Sequence, residues 1–315
     1  MNKVGIVTIV DYQNYGNRLQ NYAVQELLNE FGLEAVTLDL VLKDRSDSLS
    51  GGFLRSFFKK AMPVRIVEFY AKRKRLSKMT GVELECYQER EKKFREFTKQ
   101  YIKTKRFYIS KDIKIAKKIN EKNFKCFFTG SDQVWNPYMA GKSYHFLTFA
   151  PREKRNAIAA SIGIKQIPEY LITFYKNQLH NMNFISVREN SSVELIRELT
   201  GLNTECILDP TLLLEQSKWN LFKKEPKVDL PKRYVLSFFL GEEPTKAIEE
   251  YIKVISNNTT TKISVIHLNK CNYPDYYSVD PGELLYIIEQ SEMILTDSFH
   301  LAALSIKFRK QFFVF

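Results

Sequence analysis

Cysteine is scarce: Cys86, Cys126, Cys206 and Cys271 are the only four in 315 residues, and no two form a CxxC pair. That spacing gives no sign of a zinc module or a disulfide framework, and it fits a reducing compartment. Histidine is equally sparse. His145, His180, His267 and His300 stand far apart, with no HExxH and no carboxylate at ligand spacing, so no metal is expected. No GxGxxG follows the first apolar run, which argues against a dinucleotide site. Long hydrophobic stretches are missing too. Val4–Val10 is ended by Asp11, is too short to span a bilayer, and lacks the basic start and cleavage site of a signal peptide. It reads as a buried strand, and the protein is expected in the cytoplasm. What remains, 44% hydrophobic and 27% charged residues, describes a globular chain long enough for two domains with separate cores.

Charge is unbalanced. Forty-eight basic against 36 acidic residues give a net +12, with the excess in the first half. Lys72-Arg73-Lys74-Arg75, with Lys59, Lys60, Arg65 and Lys78 nearby, is the densest run. It reads as a solvated helical face or as attraction to acidic lipid headgroups at the inner face of a membrane. Without an RNP-like motif, a zinc finger or a clear helix-turn-helix, no nucleic-acid partner is expected.

Strands and helices alternate along the chain. Val4–Val10 is a strand. Leu19, Ala23, Val24, Leu27, Leu28 and Phe31 recur at helical spacing over Arg18–Phe31, ahead of Gly32 at a C-cap position, and Ala35–Leu40 is the next strand. Residues from about 43 to 123 read as a basic helical insertion, in which Phe53–Phe58 and Val64–Tyr70 carry apolar faces. Alternation resumes with strands at Lys125–Thr129, Asn156–Ile162 and Phe184–Val187, and helices over Glu169–His180 and Val193–Leu199, the second capped by Ser191 or Ser192. The charged, proline-bearing stretch 223–232 reads as a linker. Beyond it come Tyr234–Phe239, a helix over Thr245–Ile255, Lys262–His267, and then Pro281–Ile306 as helix, strand and helix. The expected architecture is α/β: an N-terminal Rossmann-like domain over 1–222 and a C-terminal one over 233–315, facing a cleft. Gln311–Phe315 looks like a strand in which the sequence stops, so the second domain is expected to be incomplete.

Ligands bind beyond the carboxyl ends of strands in such sheets, and four corners place polar residues there. In Asp11–Arg18, Gly16 permits a tight turn and Asn17 can cap a helix, which a purely structural turn would also need. In Gly130–Pro137, Asp132 and Gln133 can bond hydroxyls and Trp135 offers a flat face to a sugar, or else fills the core. In Ser186–Glu189, Arg188 suits bidentate capture of a carboxylate or phosphate, or a salt bridge with Glu189. The last corner, Asp297-Ser298-Phe299-His300, opens a helix whose first N–H groups attract anions, beside a histidine able to move protons near neutrality. Capping by Asp297 or Ser298 with a buried His300 explains the same residues.

Five segments in register carry a resemblance: NYGNRLQNYAVQELL (Asn14–Leu28), FFTGSDQVWNP (Phe127–Pro137), FISVRENSS (Phe184–Ser192), ILDPTLLL (Ile207–Leu214) and SEMILTDSFHLAALSI (Ser291–Ile306). In this order they resemble the polysaccharide pyruvyl transferase family, over nearly the whole chain outside the basic insertion. The resemblance implies a GT-B-like fold and transfer of a pyruvyl group from phosphoenolpyruvate, as donor substrate, to sugar hydroxyls as a ketal, with no cofactor. The acceptor it implies is a cell-surface polysaccharide or its lipid-linked precursor. Arg188 would contact the donor and His300 would donate a proton, with Ser298 and Asp297 at the same anion site. Asn17, Asp132, Gln133 and Trp135 would line the acceptor side or the cleft. Relatives often carry Arg-Leu-His where this chain has Ser298-Phe299-His300. A nucleotide-sugar-dependent glycosyltransferase on the same architecture is the alternative.

Overall fold

The computed structural model describes residues 2–42, 79, 81–109, 119, 123–139, 143–240, 246–257, 263–268 and 274–315. The basic run Lys72–Arg75 and the segments Phe53–Phe58 and Val64–Tyr70 lie outside them. No helix among the described residues is long and apolar enough to cross a membrane. The chain forms two compact units: Met1–Val10, Leu28–Met79 and Lys103–Asp209 make the first, and Asp11–Leu27, Thr80–Ile102 and Pro210–Phe315 the second.

The first unit is built on seven parallel strands: β1 (Lys3–Val7), β2 (Glu34–Leu42), β3 (Thr104–Ile109), β4 (Cys126–Gly130), β5 (Arg155–Ala160), β6 (Phe184–Val187) and β7 (Glu205–Cys206). Their order is β3-β2-β1-β4-β5-β6-β7, with Val4 of β1 opposite both Ala35 and Cys126. The order reverses between β1 and β4, the point at which open α/β sheets bind ligands. The second unit holds β8 (Tyr234–Phe238), β9 (Ser264–His267), β10 (Met293–Thr296) and β11 (Gln311–Val314), parallel in the order β11-β10-β8-β9. Its reversal lies between β8 and β10. Near-continuous burial along β1 and β8 is the pattern of strands covered on both faces.

Three sequence expectations shift. The segment read as a helical insertion does contain a long helix, but β3 lies inside it and pairs with β2 from Thr37↔Thr104 to Leu42↔Ile109. As the outer strand of the sheet it carries Lys105 and Arg106, the charges that discourage edge-to-edge association, and these masked its strand character. The units divide at Asp209/Pro210, upstream of the 223–232 stretch, and the second unit takes in most of α1 (Tyr15–Glu30) and α2 (Gly81–Tyr101). The cause is apolar: Tyr15, Leu19 and Tyr22 of α1 and Phe94 and Phe97 of α2 pack in one core with Trp219, Phe222, Leu284 and Leu301. Burial of each large side chain there is worth about 1.5–3 kcal/mol. The third shift concerns a cap. Helix α4 (Asn190–Thr200), which follows α3 (Ile172–His180), starts after Glu189, and Ser192 donates its hydroxyl to the Glu189 carboxylate rather than capping the helix.

Two short helices, α5 (Pro210–Leu213) and α6 (Gln216–Asn220), open the second unit's C-terminal stretch, followed by α7 (Lys246–Ser256), α8 (Pro274–Tyr277), α9 (Pro281–Gln290) and α10 (Phe299–Lys307). Helix α9 starts with the capping box visible in the sequence. Asp280 accepts from the N–H groups of Gly282 (2.7 Å) and Glu283 (2.9 Å), and Glu283 accepts from the Asp280 N–H (2.6 Å). Lys224 and Lys93 neutralise the two carboxylates. Asp280→Ala should therefore destabilise the protein by about 1–2 kcal/mol in thermal or urea melts, with Asp280→Asn recovering most of that loss. Equal melting of Ala and Asn variants would show that charge, not capping, is what Asp280 supplies.

Candidate functional site

The corner at the end of β4 begins at Gly130, where φ is 125° and a Cβ would lie 2.1 Å from the Ile158 carbonyl oxygen, so only glycine fits. The next residue, Ser131, is fully buried and donates its hydroxyl to Asp209, also buried, at the end of the first unit. The same Asp209 oxygen accepts from Nη1 of Arg188 at 3.0 Å, and Glu189 lies 3.7 Å from the Arg188 Nε. Glu189 in turn accepts from the Ile162 N–H at 3.1 Å, reaching the chain after β5. The corners after β4, β5 and β6 thus meet in one polar cluster.

That placement corrects two expectations. Arg188, expected to contact an anionic donor, has a side chain 6% exposed and engaged by two carboxylates of its own unit. One positive charge held by two negative ones braces this corner. Trp135, expected to face a sugar, is 0% exposed; it stacks on Phe146 with centroids 5.3 Å apart and donates its indole N–H to the His145 carbonyl. Its own carbonyl accepts from Tyr175, whose phenol is pushed up by burial. Asp132 and Gln133 remain partly accessible: Asp132 accepts from the Gln133 N–H, and Gln133 accepts from the Asn136 amide at 2.6 Å.

In the second unit the corner Asp11–Arg18 meets the corner Asp297–His300. Helix α1 starts at Tyr15, three residues earlier than expected, and Asn14 rather than Asn17 is its cap, accepting from the Asn17 N–H at 3.1 Å. Asn17 is buried and turned inward, accepting from the Asp11 N–H (2.8 Å) and from Arg18 Nη2 (2.6 Å). Arg90 of α2 holds this loop. Its guanidinium, 1% exposed, lies 4.5 Å from the Tyr15 ring, 4.7 Å from Tyr277 and 5.4 Å from Phe94, and donates to the Gln13 carbonyl at 2.7 Å. Burial pushes the Tyr15 phenol far up, against the pull of Arg90, and its O–H donates to the Val279 carbonyl at 2.7 Å.

Ser298 caps α10, accepting from the Leu301 N–H at 3.4 Å. Asp297, exposed, accepts from the Leu240 N–H at 2.7 Å and so ties down the turn after β8. His300, in the first turn of α10, is 7% exposed, with its ring edge-on to Phe299 and pressed against Gly16. The arrangement offers a helix start for an anion and an imidazole beside it. Among the described residues no group of three His, Cys, Asp or Glu could hold a metal ion.

Asp209 and Arg90 are the residues that sequence reading did not single out. Asp209 had one signal, an Asp-Pro pair at a strand end; Arg90 had none, sitting in a charged helix. Because Arg188 and Asp209 are both buried, Arg188→Ala should cost about 3–5 kcal/mol of stability and Asp209→Ala a comparable amount. The double variant should cost clearly less than their sum in the same melts; additive losses would mean the pair does not brace the corner.

The sequence profile of the family described as polysaccharide pyruvyl transferase matches residues 14–315. No curated protein matches the chain. Among solved structures, MnaA of S. aureus, solved with UDP, is similar to this chain at a TM-score of 0.51 and 12% identity, over 100% of this chain and 79% of that one. A putative UDP-N-acetylglucosamine 2-epimerase from Listeria monocytogenes matches at a TM-score of 0.41 and 11% identity, over 96% of this chain and 76% of the other. The first likeness concerns fold alone, and it agrees with the α/β, GT-B-like class read from the sequence. The family profile runs from the corner that starts α1 through Ser131, Arg188 and Asp209 to His300, and on that span the chain belongs to the polysaccharide pyruvyl transferase family, transferases that act on polysaccharides.

Proposed function

We propose that the protein transfers a pyruvyl group from phosphoenolpyruvate to two hydroxyls of a saccharide, in a cell-surface polysaccharide or its lipid-linked precursor, forming a pyruvate ketal. The observation that carries this reading is the family match across residues 14–315, which includes the helix start bearing His300. His300, as imidazolium, protonates the methylene carbon of the donor. One sugar hydroxyl attacks the resulting cationic carbon, giving up its proton, and phosphate departs with the C–O bond electrons. A second hydroxyl adds to the same carbon and loses its proton, closing the ketal; of the two hydroxyl protons, one restores the imidazolium and one leaves with phosphate. Ser298 and the first turn of α10 hold the donor's anionic groups. Asp132 and Gln133 serve the acceptor by accepting from its hydroxyls. The scheme requires neither metal nor nucleotide.

General acid catalysis contributes about 10²–10⁴ in rate, so His300→Ala should lose turnover on that scale while its melting curve stays cooperative. Undiminished turnover would remove His300 from the chemistry. Donor identity is read separately. Phosphoenolpyruvate at about 100 times its dissociation constant should stabilise the protein by about 2.7 kcal/mol, seen as a raised melting temperature, while nucleotide sugars leave it unmoved. Stabilisation by a nucleotide sugar instead would favour a glycosyltransferase.

A further inference from the structure

The tightest approach in the second unit is between the two corners that the function draws on. A Cβ built on Gly16 would lie 2.2 Å from Nδ1 of His300, 2.4 Å from its Cγ and 2.7 Å from its Cβ. These are half-ring distances that no side chain tolerates, and the near atoms belong to the root of the imidazole rather than to a flexible tip. Gly16 lies inside α1, whose range begins at Tyr15, so the turn geometry expected of it is not what requires glycine there. The requirement comes from His300.

We propose that Gly16 is a positioning residue for proton transfer at His300: its bare Cα lets the imidazole lie with its Nδ1 edge flat against the first turn of α1, which fixes the ring and leaves Nε2, on the opposite edge, as the nitrogen that carries the transferred proton. The proposal rests on the role given to His300 above and adds the atom and the surface that orients it. Other contacts support a fixed wall rather than a yielding one. Asn14 caps the turn through the Asn17 N–H, Asn17 Oδ1 takes the Asp11 N–H and the Arg18 side chain, and Arg90 fastens the Gln13 carbonyl. Phe299, edge-on to the ring with centroids 5.3 Å apart, limits it on the α10 side. A ring confined between a capped helix start and a phenyl group has little freedom to rotate, and placement errors near 1 Å cost about 10²-fold in rate.

The test is Gly16→Ala beside Gly81→Ala, whose added Cβ meets nothing within 4 Å. Gly16→Ala should lower kcat by about 10²-fold while the KM for phosphoenolpyruvate changes by less than about threefold, because the three atoms nearest the added Cβ all belong to the His300 side chain. It should also displace the His300 Cε1–H cross-peak in a carbon–proton spectrum, assigned by its loss in His300→Ala, with those of His145, His180 and His267 in place. Gly81→Ala should do neither. A cooperative melt of Gly16→Ala guards against simple unfolding. If that variant proves too unstable to assay, the effect of Gly16→Ala on melting temperature is compared in wild-type and His300→Gly backgrounds; a loss that persists in the second, where the ring and its Cβ are gone, overturns the proposal. An unmoved cross-peak with unchanged kcat overturns it as well. Should His300→Ala keep full turnover, the catalytic reading fails, while the cross-peak and the background comparison still report whether Gly16 holds the ring.

Discussion

A guanidinium removed from water must have its charge answered on the spot, and in each unit of this protein such a group sits at the corner where chemistry is drawn. In the first unit the answer is ionic: Arg188 lies against Asp209 and Glu189. In the second it is largely aromatic, with Arg90 among Tyr15, Tyr277 and Phe94 and a carbonyl from Gln13. Desolvating an ion costs several kcal/mol, so such arrangements persist only where geometry is good and partners are fixed. Their effect is to clamp loops that parallel sheets otherwise leave free. Strands supply direction; the buried arginines supply the fixed ends.

From that constraint follows the pairing of corners. Residues after β4, β5 and β6 share one cluster of hydrogen bonds and ion pairs through Ser131, Asp209, Arg188 and Glu189. In the other unit the loop ahead of α1 and the start of α10 share the surface between Gly16 and His300. Polar residues that looked like separate ligand candidates along the chain therefore divide into braces and working groups. Arg188, Asn17 and Asp297 belong with the braces; His300, Ser298, Asp132 and Gln133 stay in the functional proposal.

Much of the fold could be read from residue order. Phe184–Val187 is β6 residue for residue, the Asp280-Pro281-Gly282-Glu283 start of α9 is a capping box, and the strand-then-helix at Met293–Lys307 follows its apolar periodicity. These features are local, governed by propensity and capping within one turn. What could not be read depends on partners distant in sequence. Trp135 sits in a polar-looking stretch, and only Phe146 and Tyr175 arriving against it make it core. Arg188 meets a carboxylate 21 residues on. Gly16 resembles a turn glycine until the ring from α10 is set beside it. Unit membership of α1 and α2 was hidden for the same reason, since an amphipathic face does not say which core it will join.

The interleaving of the two cores has a consequence for biosynthesis. Asp11–Leu27 and Thr80–Ile102 leave the ribosome early, yet the core they complete is built chiefly from Pro210–Phe315. At about 5–20 residues per second, Leu19, Phe94 and Phe97 wait roughly 10–60 seconds for Leu284 and Leu301 to be translated. Until Leu284 and Leu301 emerge, the nascent chain carries apolar surface whose native partners have not yet been made.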